Sequence, residues 1–359
     1  MINIYQHIRS QGIINPELEV RIHAQKIWDS LNPTLSNNSK IYKKSSLIGR
    51  LEKSIKKINS SDKNFIYNHC DNNKSNALVL LKYLNYLKAD NYKKLKETII
   101  SNPEKLEKLM SEAKDYLPDG LLFNYTNNGV KQTGIGKFLS NTLFNYTNYR
   151  SKEFSHNFFK EIGFDSATCP YCNESKVKIV KKRGSSNKTK LLFHIDHFYP
   201  KSIFPYFSLS IYNHIPSCDS CNTSYKRDNI FIIKTHVHPY HESFHDIYTF
   251  KLDINDIQSG DIKSISVVNK GIKPTDITLS DLEIEERYNE RNIYKKSTAL
   301  IKTYKYYSHY LKDPNLRKVF LDMVYNCHGV PEDDIGIMDS QYGKLLRDII
   351  SSISDNHFK

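Results

Sequence analysis

The residues with the clearest chemistry lie between positions 168 and 229. Cys169 and Cys172 form one Cys-x-x-Cys pair, and Cys218 and Cys221 form a second. Each tight turn places two thiolates on one side of a loop, and two such turns supply the four ligands of a tetrahedral Zn²⁺ ion. The protein fills every coordination position of such a cage, so the predicted zinc is structural. Redox pairs explain the spacing less well, because neither pair lies in a strand–helix–strand pattern.

A carboxylate, an imidazole and two amides accompany these cysteines. Asp196 precedes His197, Asn213 follows, and Asn222 comes directly after the second cysteine pair. Mg²⁺ prefers oxygen ligands, as supplied by Asp196 and Asn222, and such a site leaves room for phosphate oxygens. An imidazole beside the ion accepts a proton from water because its pKa lies near neutral pH. We therefore predict phosphodiester hydrolysis at one Mg²⁺ or Mn²⁺ ion, with His197 as the general base.

Asp196 and His197 are adjacent in the sequence, which limits how both side chains can reach the same phosphate. Consecutive residues of a regular strand point to opposite faces, so Asp196 and His197 need a bend to meet at one phosphate. Pro200 is consistent with a strand that ends at this point. Asn229 is a weaker alternative to Asn222 as the last ligand.

Asp-His-x-x-Pro-x-Ser, a later Asn, and Cys-x-x-Cys-Asn-x-x-x-Lys together resemble the HNH endonucleases of the ββα-metal fold. Residues 195–202 and the Cys-Pro-Tyr-Cys-Asn start further resemble the PtuB-type effectors of Septu anti-phage systems. The resemblance covers residues 169–244 and implies a DNA endonuclease, which in a defence system would work with an ATPase partner. Arg227 departs from the pattern, because a glycine often occupies this position in the family.

The resemblance also implies roles for individual residues. Asp196 would be a metal ligand, and Asn213 would brace the loop that holds the general base. Lys201, Ser202 and Lys226 match positions that commonly lie near the phosphate backbone. We add Lys181, Lys182 and Arg183 to the expected nucleic-acid contacts, because they lie in a strongly basic hairpin between the cysteine pairs.

The surrounding elements indicate an α+β fold, a mainly α-helical chain around a central ββα-metal core. We predict a helical region over residues 1–150, the nuclease core with its four-cysteine zinc site over 151–246, and a β-hairpin plus helices over 247–359. Apolar periodicity and capping residues predict the individual elements. The expected helices cover residues 16–31, 47–58, 76–88, 104–117, 151–163 and 340–352, and the expected strands cover 176–182, 190–195, 247–252 and 264–268. A capping box at residues 280–283 predicts a long helix that Pro314 ends.

Composition adds weaker constraints. The 359 residues carry a formal net charge of +13, which suits a polyanionic partner but equally fits a generally lysine-rich composition. The sequence has no apolar leader and no apolar run of about 20 residues, so we expect a cytoplasmic protein without membrane contact. Disulfides rarely persist there, which favours metal binding by the paired cysteines. Cys70 and Cys327 are isolated, and we expect both to be small, buried hydrophobic residues.

Three other interpretations stay open or are weaker. The residues themselves do not separate DNA from RNA as substrate. A zinc ribbon that binds nucleic acid or protein without cutting also fits the composition. A deaminase signature fails, because Asp196 stands where a glutamate is needed and Ser217 separates Pro216 from its cysteine. The His-x-His-x-x-His string at residues 236–241 predicts a polar surface rather than a metal site.

Overall fold

A computed structural model describes residues 2–36, 41–127, 129–184 and 188–354. Helices make up most of this chain, with short π-helical and 3₁₀ segments between them. In chain order, the α-helices α1 to α17 are Ile4–Ser10, Pro16–Leu31, Leu47–Asn59, Lys63–His69, Lys74–Ile100, Pro103–Lys114, Asp119–Leu122, Gly134–Lys137, Tyr146–Arg150, Glu153–Glu161, Phe244–Ile247, Ile254–Ser259, Thr278–Asp281, Ile284–Tyr288, Arg291–Tyr307, Pro314–Asp322 and Gly343–Ile353.

The strands form small antiparallel sheets, as the α+β prediction requires. β1 pairs with β2, β3, β4 and β5 form one sheet in that order, β6 pairs with β7, and β8 pairs with β9. The strands are β1 Phe123–Thr126, β2 Gly129–Gln132, β3 Ser166–Thr168, β4 Lys176–Lys181, β5 Thr189–Leu191, β6 His194–His197, β7 His214–Ser217, β8 Tyr248–Leu252 and β9 Ile265–Asn269.

The N-terminal helices begin where the sequence predicts. Asn15 caps α2 by accepting from the Leu18 amide, and Pro16 occupies the first turn, where a missing N–H costs nothing. In α3, Leu47 and Leu51 are fully buried and belong to the apolar stripe that packs into the core. The predicted helix over residues 76–88 is confirmed as part of α5. The helices predicted over 104–117 and 151–163 are confirmed as α6 and α10, although α6 ends at Lys114 and α10 covers only Glu153–Glu161.

One long element is interrupted. α5 loses helical geometry at Ala89 and then passes through three residues with positive φ, Asp90, Asn91 and Tyr92. Left-handed backbone is costly for residues other than glycine and least costly for Asn and Asp. The two helical halves therefore meet at a kink.

The capping-box prediction is wrong. Ser280 lies in the short helix α13, and Glu283 has a φ of 47°, which ends the local helix. The long C-terminal helix α15 starts only at Arg291, and Pro314 opens α16 instead of ending α15. The predicted hairpin is confirmed as β8 and β9, although the helix α12 lies between its strands.

Contacts cross both predicted region boundaries, and the division at residues 150 and 246 stays a prediction. The Ile2 amide donates to the Pro170 carbonyl at 2.7 Å, and the Tyr288 hydroxyl donates to the Cys172 carbonyl at 2.6 Å. The predicted N-terminal and C-terminal regions are thus both joined to the segment of the first cysteine pair. None of the described helices has the length and apolar character needed to cross a membrane.

Candidate functional site

The four paired cysteines converge. All four are buried, and their Sγ atoms lie within 4.8 Å of one another. The Sγ atoms of Cys172 and Cys218 are 3.9 Å apart, close to the edge of about 3.8 Å that a tetrahedron with Zn–S bonds of about 2.3 Å requires. Donor type, number and spacing therefore fit a structural Zn²⁺ ion. Among the described residues, no other group of three or more His, Cys, Asp or Glu side chains meets in this way.

Donors surround the cage and compensate its negative charge. The Cys218 amide donates to Cys169 Sγ at 3.4 Å, and the Glu174 amide donates to Cys172 Sγ at 3.4 Å. Arg287, from α14, donates through Nη1 to Cys221 Sγ at 3.2 Å and through Nη2 to Glu174 at 2.6 Å. Thiol hydrogen bonds lower the pKa of Cys218, which favours the thiolate that zinc needs. Sequence reasoning missed Arg287, because it lies far from the cysteines along the chain.

The strand pair β6–β7 joins the cage to the other predicted site residues. Asp196 lies opposite Ile215 and His197 lies opposite His214. The π-helical segment Ser220–Lys226 follows β7 directly and carries the last cysteine. The chain thus runs strand, strand, short helix, with Asp196 and His197 on β6 and Asn222 on the helical segment.

Asn213 fixes the long loop between the two strands. Its Oδ1 accepts from the Tyr199 amide at 2.7 Å, and its Nδ2 donates to the carbonyls of Tyr199 and Phe207 at 3.2 and 3.1 Å. The side chain is fully buried. Because three bonds from one amide span residues 199–207, the loop beside β6 has a defined shape.

His197 is held in one tautomer. Its Nε2 lies 3.1 Å from the Ser208 carbonyl, and a carbonyl only accepts, so Nε2 carries the proton and Nδ1 keeps the lone pair. The Tyr146 ring packs against the imidazole at 4.5 Å between centroids. Burial lowers the pKa of His197 well below its usual range, and the neighbouring His214 and Lys201 lower this pKa further. The ring is therefore neutral at neutral pH.

His214 shares the same carbonyl. Its Nε2 also bonds Ser208 O, at 2.9 Å, while its Nδ1 is buried without a partner. Burial lowers the pKa of His214 to about 4. The imidazoles of His197 and His214 thus form a neutral pair with centroids 5.1 Å apart.

Asp196 is engaged by protein donors. Tyr171 Oη donates to its Oδ2 at 2.6 Å, and Lys226 Nζ lies 3.4 Å from its Oδ1. Lys226 is 1% exposed and also donates to the His197 carbonyl at 2.7 Å. The expectation that Lys226 contacts a phosphate at the surface is therefore not met. A buried ammonium is stable only beside a counter-charge, and here Asp196 provides it.

The oxygen donors expected for Mg²⁺ or Mn²⁺ are not assembled into a site in this arrangement. Asp196 contacts Tyr171 and Lys226, whereas His197 contacts Ser208 and Tyr146, so the bend that would turn both toward one phosphate is not seen. Asn222 lies half-buried on the π-helical segment. A cation already neutralises the carboxylate, which makes the residues as placed a poor fit for a divalent ion.

No protein-family model, no curated protein and no solved structure matches this chain. Inferences about its chemistry therefore depend on the geometry described above and on the sequence pattern.

The remaining predicted nucleic-acid contacts occupy two places. Near His197, Lys201 Nζ lies 4.9 Å from the centre of the Tyr146 ring, and Ser202 Oγ donates to Asp228 at 2.7 Å. Lys201 is half-buried, and burial lowers its pKa. Lys181, Lys182 and Arg183 are all exposed on the β4–β5 hairpin.

The other histidines of this region have structural partners. His194 pairs with Asp219 at 3.1 Å, and His236 pairs with Asp281 at 3.0 Å. His238 packs on Phe198 with ring centroids 4.1 Å apart. The polar surface predicted for residues 236–241 is wrong, because His236 and His238 are buried. Among the described residues, this string contributes to no group of metal-binding side chains.

The chain leaves the π-helical segment at Arg227, a position where glycine was expected from the sequence resemblance. Its φ is 47°, in the region that glycine adopts most easily. Arg227 therefore has a backbone conformation that glycine adopts more easily, at a conformational cost.

Proposed function

We propose that this protein is an HNH-type endonuclease that hydrolyses phosphodiester bonds of DNA, with His197 as the general base. The observation that carries the proposal is the orientation of His197, whose Nε2 is fixed by Ser208 in a loop that Asn213 braces. The order of strand, strand and short helix, clamped by a four-cysteine cluster, gives further support.

In the proposed reaction, Nδ1 of His197 accepts a proton from water as the water oxygen attacks phosphorus. The new P–O bond forms in line with the P–O bond to the 3′ oxygen, which breaks. The lowered pKa of His197 makes the free imidazole a weak base. A bound phosphate anion beside the ring would raise this pKa toward neutrality, so substrate binding itself would prepare the base.

Electrostatic stabilisation of the phosphate would come from Lys201. Lys201 lies on the Tyr146 ring beside the imidazole, from where its ammonium would contact a phosphate oxygen. A divalent ion, when bound, would neutralise charge on the phosphoryl oxygens and the leaving oxygen. The proton transfer to His197 and the phosphate contact of Lys201 need no oxygen from Asp196, which Lys226 already neutralises.

The test is nicking of supercoiled plasmid by the purified protein with Mg²⁺ or Mn²⁺. We expect His197→Ala to lower the rate at least roughly 100-fold, the usual contribution of a general base. His309→Ala is the matched control, because this histidine is exposed and lies far along the chain. Equal nicking by His197→Ala, or none by the unsubstituted protein with either ion, would refute the proposal. A parallel RNA substrate decides between DNA and RNA.

A second candidate is a zinc module that binds nucleic acid or a partner protein without cutting. The buried Asp196–Lys226 pair favours it, because a carboxylate that a lysine neutralises needs no ion. Tight DNA binding without cleavage would support this candidate. A role in anti-phage defence with an ATPase partner follows from the sequence resemblance alone and belongs to the nuclease proposal.

A further inference from the structure

The β4–β5 ribbon has two unlike faces. Val177 is fully buried, and Ile179 and Leu191 pack against the core. Alternate residues of a strand point to opposite faces, so Lys176, Lys178 and Val180 lie on the outer face. These three residues are exposed, in agreement with this alternation.

The pairing of the strands extends the outer face across the ribbon. Directly opposed residues of antiparallel strands share a face, and Lys190 lies opposite Val180. Two residues further on, the Lys182 amide donates to the Lys188 carbonyl at 2.8 Å, which continues the ladder. We call the resulting set the lysine face, and its members are Lys176, Lys178, Lys182, Lys188 and Lys190.

The charge of the lysine face is not balanced within the ribbon. Residues 176–191 contain no Asp or Glu. The nearby Glu153 bonds the amide and the hydroxyl of Thr189, a residue paired with Lys181 and thus on the other face. Burial lowers the pKa of Lys296, and the nearby charge of Lys176 lowers this pKa further, so a lysine outside the ribbon lies near the lysine face. Like charges at opposed positions repel, and a polyanion relieves that repulsion.

We propose that the lysine face binds the phosphate backbone of duplex DNA and directs it to the site at His197, an inference that rests on the proposed nuclease function. Lys176 to Lys182 span about 20 Å at roughly 3.3 Å per residue. A duplex carries one phosphate charge per about 1.7 Å of its axis when both strands are counted, so a length of about 20 Å presents more phosphate charges than five lysines neutralise. Lysine contacts to phosphate position a duplex without reading its sequence.

The place of the ribbon in the chain links the lysine face to the zinc cluster and to β6. β4 begins shortly after Cys172, and β5 leads almost directly into β6, which ends at His197. Because β4 and β5 are antiparallel, both connections leave the same end of the ribbon. A duplex bound along the lysine face would therefore have the end of the ribbon that leads to His197 at one of its sides.

The experiment measures binding to a labelled duplex across a range of salt concentrations, in a His197→Ala background that prevents cutting. One variant replaces all five lysines of the lysine face by Gln. The matched control replaces five exposed lysines elsewhere by Gln, at positions Lys82, Lys108, Lys114, Lys312 and Lys318. Both variants change the net charge equally, and zinc content and thermal unfolding verify that each is folded.

We expect the lysine-face variant to lose roughly 100-fold in affinity at low salt. The magnitude of the slope of log K against log salt should fall by about 4.5, which is about 0.9 for each of five lost phosphate contacts. The control should change much less, and two unrelated duplex sequences should bind equally. In single variants, Lys178→Gln should weaken binding more than Lys181→Gln, because Lys181 lies on the other face.

Equal losses in the two five-lysine variants would overturn the proposal, and so would binding of single-stranded RNA alone. Binding is measured without cleavage, so a failure of the nuclease proposal in the plasmid assay is a separate result. Duplex binding through the lysine face without any nicking would retain the surface and refute the catalysis.

Discussion

The two ends of the β6–β7 strand pair differ in whether residues close together in the sequence determine the contacts made there. At the zinc end, four cysteines in two short windows converge, and the predicted ligands form the predicted cluster. At the other end, Asp196 and His197 are neighbours along the chain but contact separate sets of partners. Spacing within a turn determines a metal cage, whereas the partner of a buried charge depends on the whole fold.

The largest effect should follow loss of zinc. Structural zinc contributes on the order of 10 kcal/mol to folded small domains, comparable to the roughly 5–15 kcal/mol stability of a whole protein. We expect Cys218→Ser with Cys221→Ser, or chelation, to abolish cooperative thermal unfolding of the region that includes β6 and β7. Metal analysis should find one zinc ion per chain in the unsubstituted protein.

Cys327→Ser provides the control for this prediction, since that cysteine is exposed and outside the cluster. Zinc retained by the double variant, or an unchanged melting temperature after complete zinc removal, would contradict the structural assignment. The metal-binding role of the four cysteines would then be no better established than the roles of Asp196 and His197.

The next largest effect concerns the buried ion pair. Lys226→Met leaves the Asp196 carboxylate buried without its cation, which costs about 3–5 kcal/mol. Asp196→Asn with Lys226→Met should recover a large part of that loss, and denaturant unfolding measures both. If Lys226→Met costs no more than Lys182→Met, an exposed substitution, then Lys226 does not hold the carboxylate in solution.

The imidazole pair predicts a dependence of stability on pH. The pKa of His214 is about 4 in the folded protein and about 6.5 when unfolded. The unfolded chain therefore takes up a proton first, and stability that is complete above pH 6.5 falls by about 3 kcal/mol as the pH drops to 4. His214→Phe should flatten the curve by that amount. Identical pH profiles of the two proteins would show that His214 is not buried as a neutral ring.

The smallest effect tests the support of the cage. Arg287→Ala removes the hydrogen bonds to Cys221 and Glu174, and hydrogen bonds to charged groups contribute about 2 kcal/mol. We expect a loss of about 2 kcal/mol and faster zinc release to a chelator, with Arg291→Ala as the exposed control. Zinc release at the unsubstituted rate would mean that Arg287 does not stabilise the thiolate.

Local signals in the sequence predicted a large part of the fold correctly. Asn15 and Pro16 start α2 because a cap and a first-turn proline act within a few residues. The same type of signal failed at Ser280 and Glu283, where the chain turns at a positive φ and the long helix begins at Arg291. A capping box specifies only a helix start, and tertiary packing decides whether a helix follows.

The candidate site shows the same limit. The cysteines and Asn213 were identified from residue types, spacing and family resemblance, and the structure gives them contacts of the expected kind. The burial of Lys226 depends on Asp196 and on Phe231, whose ring centre lies 5.1 Å from Nζ. No sequence motif includes Phe231, so the motif could not predict this burial. Arg287 and Tyr146 were missed for the same reason.

The carbonyl of Ser208 allows the His197→Ala test to separate a loss of chemistry from a loss of folding. Since both imidazoles donate to this one oxygen, removal of either ring still leaves the oxygen with a donor. The alanine variant at position 197 should therefore stay folded, and any activity it loses reports on chemistry. In a proton-detected NMR spectrum of that variant, the ring N–H signal of His197 should be lost and that of His214 should remain.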